Sequence, residues 1–240
     1  MPVFYENRGL VTPGDLLAEG DYISSSNTYR RGEKIYASRL GLVKYEEKEV
    51  QVVALNAFYL PSIGDLVIGK IVEVNINSWT VNINTSYLAT LHTSEALNRS
   101  FRPQRDDLTR LFDVGDLIIA KVITYDRTRD PSLTVREPGL GKVVDGQIVK
   151  VTPTKIPRII GRKGSMINML KKETGCNITV GQNGLILVHG GTSEDERIAI
   201  MAIHKIEQES HTSGLTDRVT EMIRKEKGMK NDAKSTEKIG

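Results

Sequence analysis

Two glycines three residues apart, Gly161 and Gly164, constrain this chain more than any other feature of its sequence. They enclose Arg162-Lys163, follow Ile159-Ile160 and open onto a helical pattern over residues 165–174 that Gly175 stops. Glycines here let backbone approach a ligand closely, and the N–H groups that open the following helix favour an anion. Strands are expected at residues 146–151, 176–180 and 185–189, the last two joined by a turn over 181–184. Ser193-Glu194-Asp195-Glu196 reads as a capping box opening a helix to about Glu209, with Ile198, Met201, Ala202 and Ile206 as its apolar stripe. The resulting order is β-α-α-β-β-α. A further amphipathic helix, with Leu215, Val219, Met222 and Ile223 on one face, follows at 211–227.

A glycine pair in that setting is the physical content of a KH-type GXXG loop, which clamps a short run of single-stranded backbone. The plainer reading is a Gly-rich helix–helix turn. Charge favours the loop. From residue 141 to 175 there are eight Lys/Arg (Lys142, Lys150, Lys155, Arg158, Arg162, Lys163, Lys171, Lys172) and two acids (Asp145, Glu173), net +6, whereas the whole chain carries only +3. The candidate RNA contacts of this region are Gly161, Arg162, Lys163, Gly164 and Ser165. A solvated helix face explains Lys171 and Lys172.

Everything before residue 138 is β-like. Residues 1–61 hold short strands punctuated at Pro13-Gly14-Asp15, Arg31-Gly32 and Pro61. Within 62–137 the run from Gly64-Asp65-Leu66 to Val74 aligns with that from Gly115-Asp116-Leu117 to Tyr125. Fifty-one residues is a short separation for two domains, so two similar strands of one barrel are expected. Trp79-Thr80-Val81-Asn82-Ile83 alternates strictly, so one of its faces is buried. Five short strands with a long insertion before the fourth suggest a small Greek-key barrel of the OB type. On it, Trp79 and His92 are candidates to stack on bases, and Lys70 and Lys121, at matching repeat positions, to follow phosphates. The alternative for Trp79 is a core position.

Other classes are poorly supported. The single Cys176, in an apolar strand, excludes a multi-Cys zinc site and reads as a small core residue. No apolar run approaches a membrane span, and the first residues lack the pattern of a secretory signal. Asp106-Asp107, Asp113 and Asp116 read as a solvated loop better than as nuclease metal ligands. His189, His204 and His211 have no visible constellation, and Gly139-Leu140-Gly141-Lys142 lacks the rest of a P-loop. No cofactor, resident metal or catalytic site is expected, the location expected is cytoplasmic, and residues 228–240 are expected to be disordered.

Taken with their order, these segments resemble a known family. Residues 62–137, with GDLVIGKIVEV, the Trp79 strand and ATLHTSEA, resemble an S1-type RNA-binding domain. Residues 141–210 resemble a KH domain, and residues 1–61 resemble the N-terminal domain of the exosome RNA-binding cap subunit. The order matches the archaeal-type Rrp4 family of such subunits; polynucleotide phosphorylase carries its KH domain before its S1 domain. The resemblance implies a non-catalytic subunit that captures single-stranded RNA and sits in three copies on a hexameric ring of RNase PH-like subunits. The N-terminal domain would dock on that ring, which performs the phosphorolytic degradation. A free-standing RNA-binding regulator or translation-related factor is the competing reading.

Overall fold

The structure, a computed structural model, describes residues 2–55, 58–97, 107–126, 128–210, 212 and 214–237, with side chains as far as Gly228. Asp106, His211 and most of the loop around 98–106 lie outside the described residues. Two units result, Met1–Phe58 and Tyr59–Gly240.

The first unit contains β1 (Leu10–Val11), β2 (Leu16–Glu19), β3 (Ile23–Ser24), β4 (Thr28–Arg31), β5 (Lys34–Ala37), β6 (Gly41–Glu46) and β7 (Glu49–Ala54). They form two sheets, ordered β1-β6-β7-β3 and β2-β5-β4. Alternation sends Val11, Leu17, Ile35, Val43, Val50 and Val52 into one core.

The second unit begins with a closed barrel of β8 (Leu66–Val74), β9 (Ser78–Asn82), β10 (Leu88–His92), β11 (Leu117–Asp126) and β12 (Arg129–Thr134). The order β12-β10-β9-β8-β11 closes through β12–β11 pairing, and β10 and β12 run parallel, as expected for the OB type. Between β10 and β11 lie the single turn α1 (Thr93–Ala96) and a 3-10 turn at Leu108–Arg110. The sequence repeat is thereby explained: β8 and β11 are antiparallel neighbours, with Leu117 opposite Lys70 and Lys121 opposite Leu66. A short β13 (Gly141–Lys142) adds to the β11 edge. Residues 141 and 142, taken from the sequence as the start of the KH-type region, thus pair with the barrel.

Each repeat begins with one turn design, and that design occurs a third time in the first unit. Gly14, Gly64 and Gly115 have φ of 94°, 93° and 97°. The aspartate that follows accepts from the backbone N–H three residues earlier: Thr12 to Asp15 at 2.7 Å, Ser62 to Asp65 at 3.0 Å, Asp113 to Asp116 at 2.8 Å. A neighbouring strand then clamps the turn. Gly64 N–H donates to Val122 O and Val122 N–H to Asp65 O, at 2.8 and 2.9 Å; Gly115 and Asp116 make the same pair with Ile71, at 2.9 and 2.8 Å. The two barrel turns are therefore reciprocal, each fixed by the strand the other one opens.

The C-terminal part runs β14 (Gln147–Lys150), α2 (Ile156–Ile160), α3 (Ser165–Thr174), β15 (Asn177–Val180), β16 (Leu185–His189), α4 (Ser193–Gln208) and α5 (Leu215–Glu237). The sheet order is β14-β16-β15. Val149, Ile178, Ile186 and Val188 face the helices and share a core with Ile159, Leu170, Ile198, Ile206, Val219 and Ile223. The capping box is shifted by one residue from expectation. Thr192 is the N-cap: its hydroxyl accepts from Asp195 N–H and Asp195 Oδ2 accepts from Thr192 N–H, both at 3.2 Å. Ala199 and Ile203 are fully buried on this helix, whereas Met201 is only half-buried. Residues 228–237, expected to be disordered, continue α5 to Glu237; they contain no proline to stop it.

Barrel and KH-type sheet meet at the 181–184 turn. Asn183 is fully buried, and its amide donates to Ile68 O at 2.7 Å and Ile83 O at 2.8 Å while accepting from Ile68 N–H at 3.3 Å. The β8–β9 ladder starts only at Lys70 opposite Asn82, so the Asn183 side chain replaces the missing partner strand at Ile68. Gln182 N–H donates to Leu66 O at 2.7 Å and Asn84 Nδ2 to Asn183 O at 3.1 Å. Ile68 is fully buried yet lies outside the barrel core, on the outer face that this turn covers.

Candidate nucleic-acid interface

The Gly161–Gly164 loop has the geometry its sequence demands. Gly161 has φ 76° and ψ 172°, and a Cβ there would stand 2.7 Å from Met166 N. Gly164 has φ 78° and is the N-cap of α3, whose first turn receives no side-chain cap. Ser165 N–H is bonded to Arg162 O, and no side chain caps the N–H groups that follow it at the start of this ten-residue helix, a place that favours an anion. Lys163, a non-glycine residue, is held at φ 52°, a conformation that costs of order 1–3 kcal/mol and recurs at ligand clamps. Arg162, Lys163 and Ser165 are exposed. Among the described residues neither Arg162 nor Lys163 has an ion-pair partner, so both charges face solvent beside the uncapped helix. Two other cations of the region are engaged: Arg158 donates to Thr212 O, and Lys142 pairs with Asp116.

The barrel departs from expectation at Trp79. Its residue is fully exposed to none of the solvent (0%), its indole N–H donates to Phe112 O at 2.9 Å, and its ring packs edge-on against Phe112 at 5.3 Å. Trp79, Val81 and Ile83 are the inward set of the alternating strand, so Trp79 is core and offers no face to a base. His92 is exposed at the end of β10, opposite Ser78. Around it the outer face of β9 and β10 carries Thr80 and Thr90, opposite one another, with Asn75 donating to Thr80 Oγ1 at 3.0 Å. Hydrogen-bonding groups predominate there over rings. Lys70 is exposed and Lys121 half-buried, both on the outer face of β8 and β11 that the KH-type turn covers in part. Lys121 is bound to both Glu137 oxygens, at 2.8 and 3.1 Å, which neutralises it as a phosphate contact. An aromatic pair escaped the sequence reading: Tyr87 and Tyr125 meet edge-on at 6.0 Å on the barrel surface. Its one signal was a tyrosine beside each of two strand ends.

The other reactive residue types have structural work. Burial pushes the Cys176 thiol up, so the thiol stays protonated. Asp107 caps the 3-10 turn through Thr109 N–H at 3.1 Å. Asp113 accepts from Val114 N–H, and the Lys142 ammonium with Asp113 N–H holds the Asp116 carboxyl below the usual carboxylate range. Among the described residues no cluster of three or more His, Cys, Asp or Glu is placed to hold a metal ion, and no helix is long and apolar enough to cross a membrane.

Three family profiles match the chain in succession: the exosome RNA binding protein RRP4 N-terminal domain over residues 8–56, the RRP4 S1 domain over 58–124 and the KH domain over 146–210. The exosome complex component Rrp4 of Thermofilum pendens is 41% identical over 224 residues, covering 92% of this chain and 94% of its own. That of Thermococcus kodakarensis is 44% identical over 223 residues, covering 92% and 87%. A solved structure described as an exosome complex RNA-binding protein is 45% identical, with a TM-score of 0.69, covering 72% of this chain and 99% of its own. Similarity at this level across all three regions decides the question of kinship: the chain belongs to the Rrp4 family of exosome complex components.

Proposed function

We propose that this protein is a non-catalytic RNA-binding component of an exosome complex, capturing single-stranded RNA for a separate nuclease. The observation that carries the reading is the open Gly161–Gly164 loop, with exposed Arg162 and Lys163 beside the uncapped start of α3. Such a loop holds backbone and leaves the bases unread. The reading extends to a location in the cytoplasm and to three copies on a hexameric ring of RNase PH-like subunits, docked through the N-terminal unit. One feature of that unit supports docking. Leu10 lies opposite Leu42, and Leu42 opposite Val53, in a row across β1, β6 and β7 on the face away from the core. Leu10 and Val53 are 58% and 54% exposed, an apolar row suited to a protein partner.

The test combines binding and turnover. Arg162→Ala with Lys163→Ala removes two phosphate contacts, so affinity falls about equally for all RNA sequences and the single-strand salt slope drops by about 1.4. The pure chain, incubated with RNA and either phosphate or Mg²⁺, leaves the RNA intact. Degradation by the chain alone overturns the non-catalytic reading, and an unchanged salt slope overturns the role of the loop.

A further inference from the structure

Resting on the RNA-binding reading, we propose that the β4–β5 hairpin of the N-terminal unit is a second contact for single-stranded RNA, stacking a base on Tyr29 and holding phosphates with Arg31 and Lys34. The hairpin turns through Gly32-Glu33, with Gly32 at φ 64° and Arg31 opposite Lys34. Ile35 and Ala37 enter the core of the unit, so Lys34 and Tyr36 face outward. Their cross-strand partners Arg31 and Tyr29 face outward with them. Tyr29 and Tyr36 stack there, with ring centroids 5.4 Å apart and planes 20° from parallel. Tyr29 is 45% exposed and lies on β4, the edge strand of its sheet. Tyr36 covers one side of the Tyr29 ring, and the exposed remainder is available to a base.

Charge singles out the same face. Residues 28–39 hold four Lys/Arg (Arg30, Arg31, Lys34, Arg39) and one acid (Glu33), net +3, whereas residues 1–58 hold seven Lys/Arg and eight acids, net −1. Arg30 is used by the fold, donating to the carbonyls of Gly20 and Tyr22. Arg31 and Lys34 are exposed and have no ion-pair partner among the described residues; Glu19, opposite Lys34 on β2, does not pair with it. Like charges facing each other across a ladder destabilise it, and an anion between them removes the repulsion. Arg31 follows Tyr29 by two residues, about 7 Å along the strand, so one extended RNA strand reaches ring and cations together. Stacking on a ring and pairing with phosphate are the two contacts that build sequence-tolerant single-strand sites. The apolar row of Leu10, Leu42 and Val53 belongs to the other sheet, on the far side of the core that both sheets share. A protein partner on that row leaves the hairpin open to RNA.

The experiment is a salt titration of binding by fluorescence anisotropy, with the full chain and one labelled oligouridylate. Arg31→Ala with Lys34→Ala lowers the single-strand salt slope by about 1.4. Tyr29→Ala weakens binding by about fivefold or more, whereas Tyr29→Phe keeps both the ring and the affinity. If Tyr29→Ala loosens the hairpin, the charge variant, at two exposed positions, decides alone. An unchanged slope and affinity overturn the proposal. So does an unchanged RNA affinity with loss of the variants from co-purified exosome subunits, which marks a protein contact. Arg162→Ala with Lys163→Ala, measured alongside, lowers the slope independently. If that variant changes nothing, the glycine-loop reading fails and the hairpin variants still judge the hairpin; an effect in the loop variant alone overturns only the hairpin.

Discussion

The barrel and the KH-type loop both display conspicuous glycines and rings or charges, and they use them in opposite ways. In the barrel, Gly64 and Gly115 turn the chain at φ near 95°, but Asp65 and Asp116 satisfy the turn's N–H groups and the facing strand clamps what remains. Trp79 is consumed by the core. In the loop, Gly161 and Gly164 turn the chain at φ 76° and 78°, and no side chain caps the helix that follows. The strained Lys163 and its neighbour Arg162 have no ion-pair partner among the described residues. A glycine turn is structural when nearby side chains complete its hydrogen bonds, and is free to bind when they do not.

The largest effects break the structural side of this contrast. Trp79→Ala removes a fully buried ring and costs about 3–5 kcal/mol. Its denaturation midpoint falls sharply, whereas a Trp79 that served only to stack on bases would leave stability unchanged. Asn183→Ala strands the backbone groups of Ile68 and Ile83 and costs about 2–4 kcal/mol; calorimetry then shows the barrel and the KH-type part melting apart. Gly161→Ala drives a Cβ against Met166 N at a positive φ and destabilises by about 1–3 kcal/mol, with loss of RNA binding.

Smaller effects sharpen it. Asp116 is held below its ordinary pKa, chiefly by Lys142 and then by Asp113 N–H. Its contribution to stability is present above the unfolded carboxylate pKa of about 3.9. It is lost as pH falls through the lower folded value, and Asp116→Asn flattens that acid limb in pH-dependent denaturation. RNA affinity at neutral pH is unaffected. The smallest stability change comes from Lys163→Gly. Relief of the φ 52° strain offsets the greater chain entropy of glycine, leaving stability within about 1 kcal/mol. Filter binding nevertheless shows weaker RNA affinity at every sequence, which separates a binding residue from a folding one.

Much of the fold was legible because local rules carried it. The β-α-α-β-β-α order, the Gly175 stop and the α3 boundaries follow from periodicity and from glycine's tolerance of positive φ. The repeat of Gly-Asp strands was visible as a pattern. Its meaning, two neighbouring strands each fixed by the other's turn, required the β8–β11 register. Alternation left Trp79 open between a stacking face and a core position, because it says that one face is buried without saying which. The Tyr87–Tyr125 pair joins the ends of strands far apart in sequence, and a tyrosine beside each strand end does not by itself report that the two meet. Thr192 took the cap from Ser193 because a box with either residue reads alike until the backbone chooses.

By itself, the sequence determined the module order, the glycine-bounded loop and the local excess of positive charge, since each depends on residues adjacent in the chain. The tertiary structure alone decided that Trp79 is core, that Glu137 neutralises Lys121, and that Asn183 stands in for a strand at Ile68. Those outcomes depend on which groups share a buried surface. There an unpaired polar atom is costly, and the partner that relieves it comes from more than a hundred residues away, as Asn183 does for Ile68.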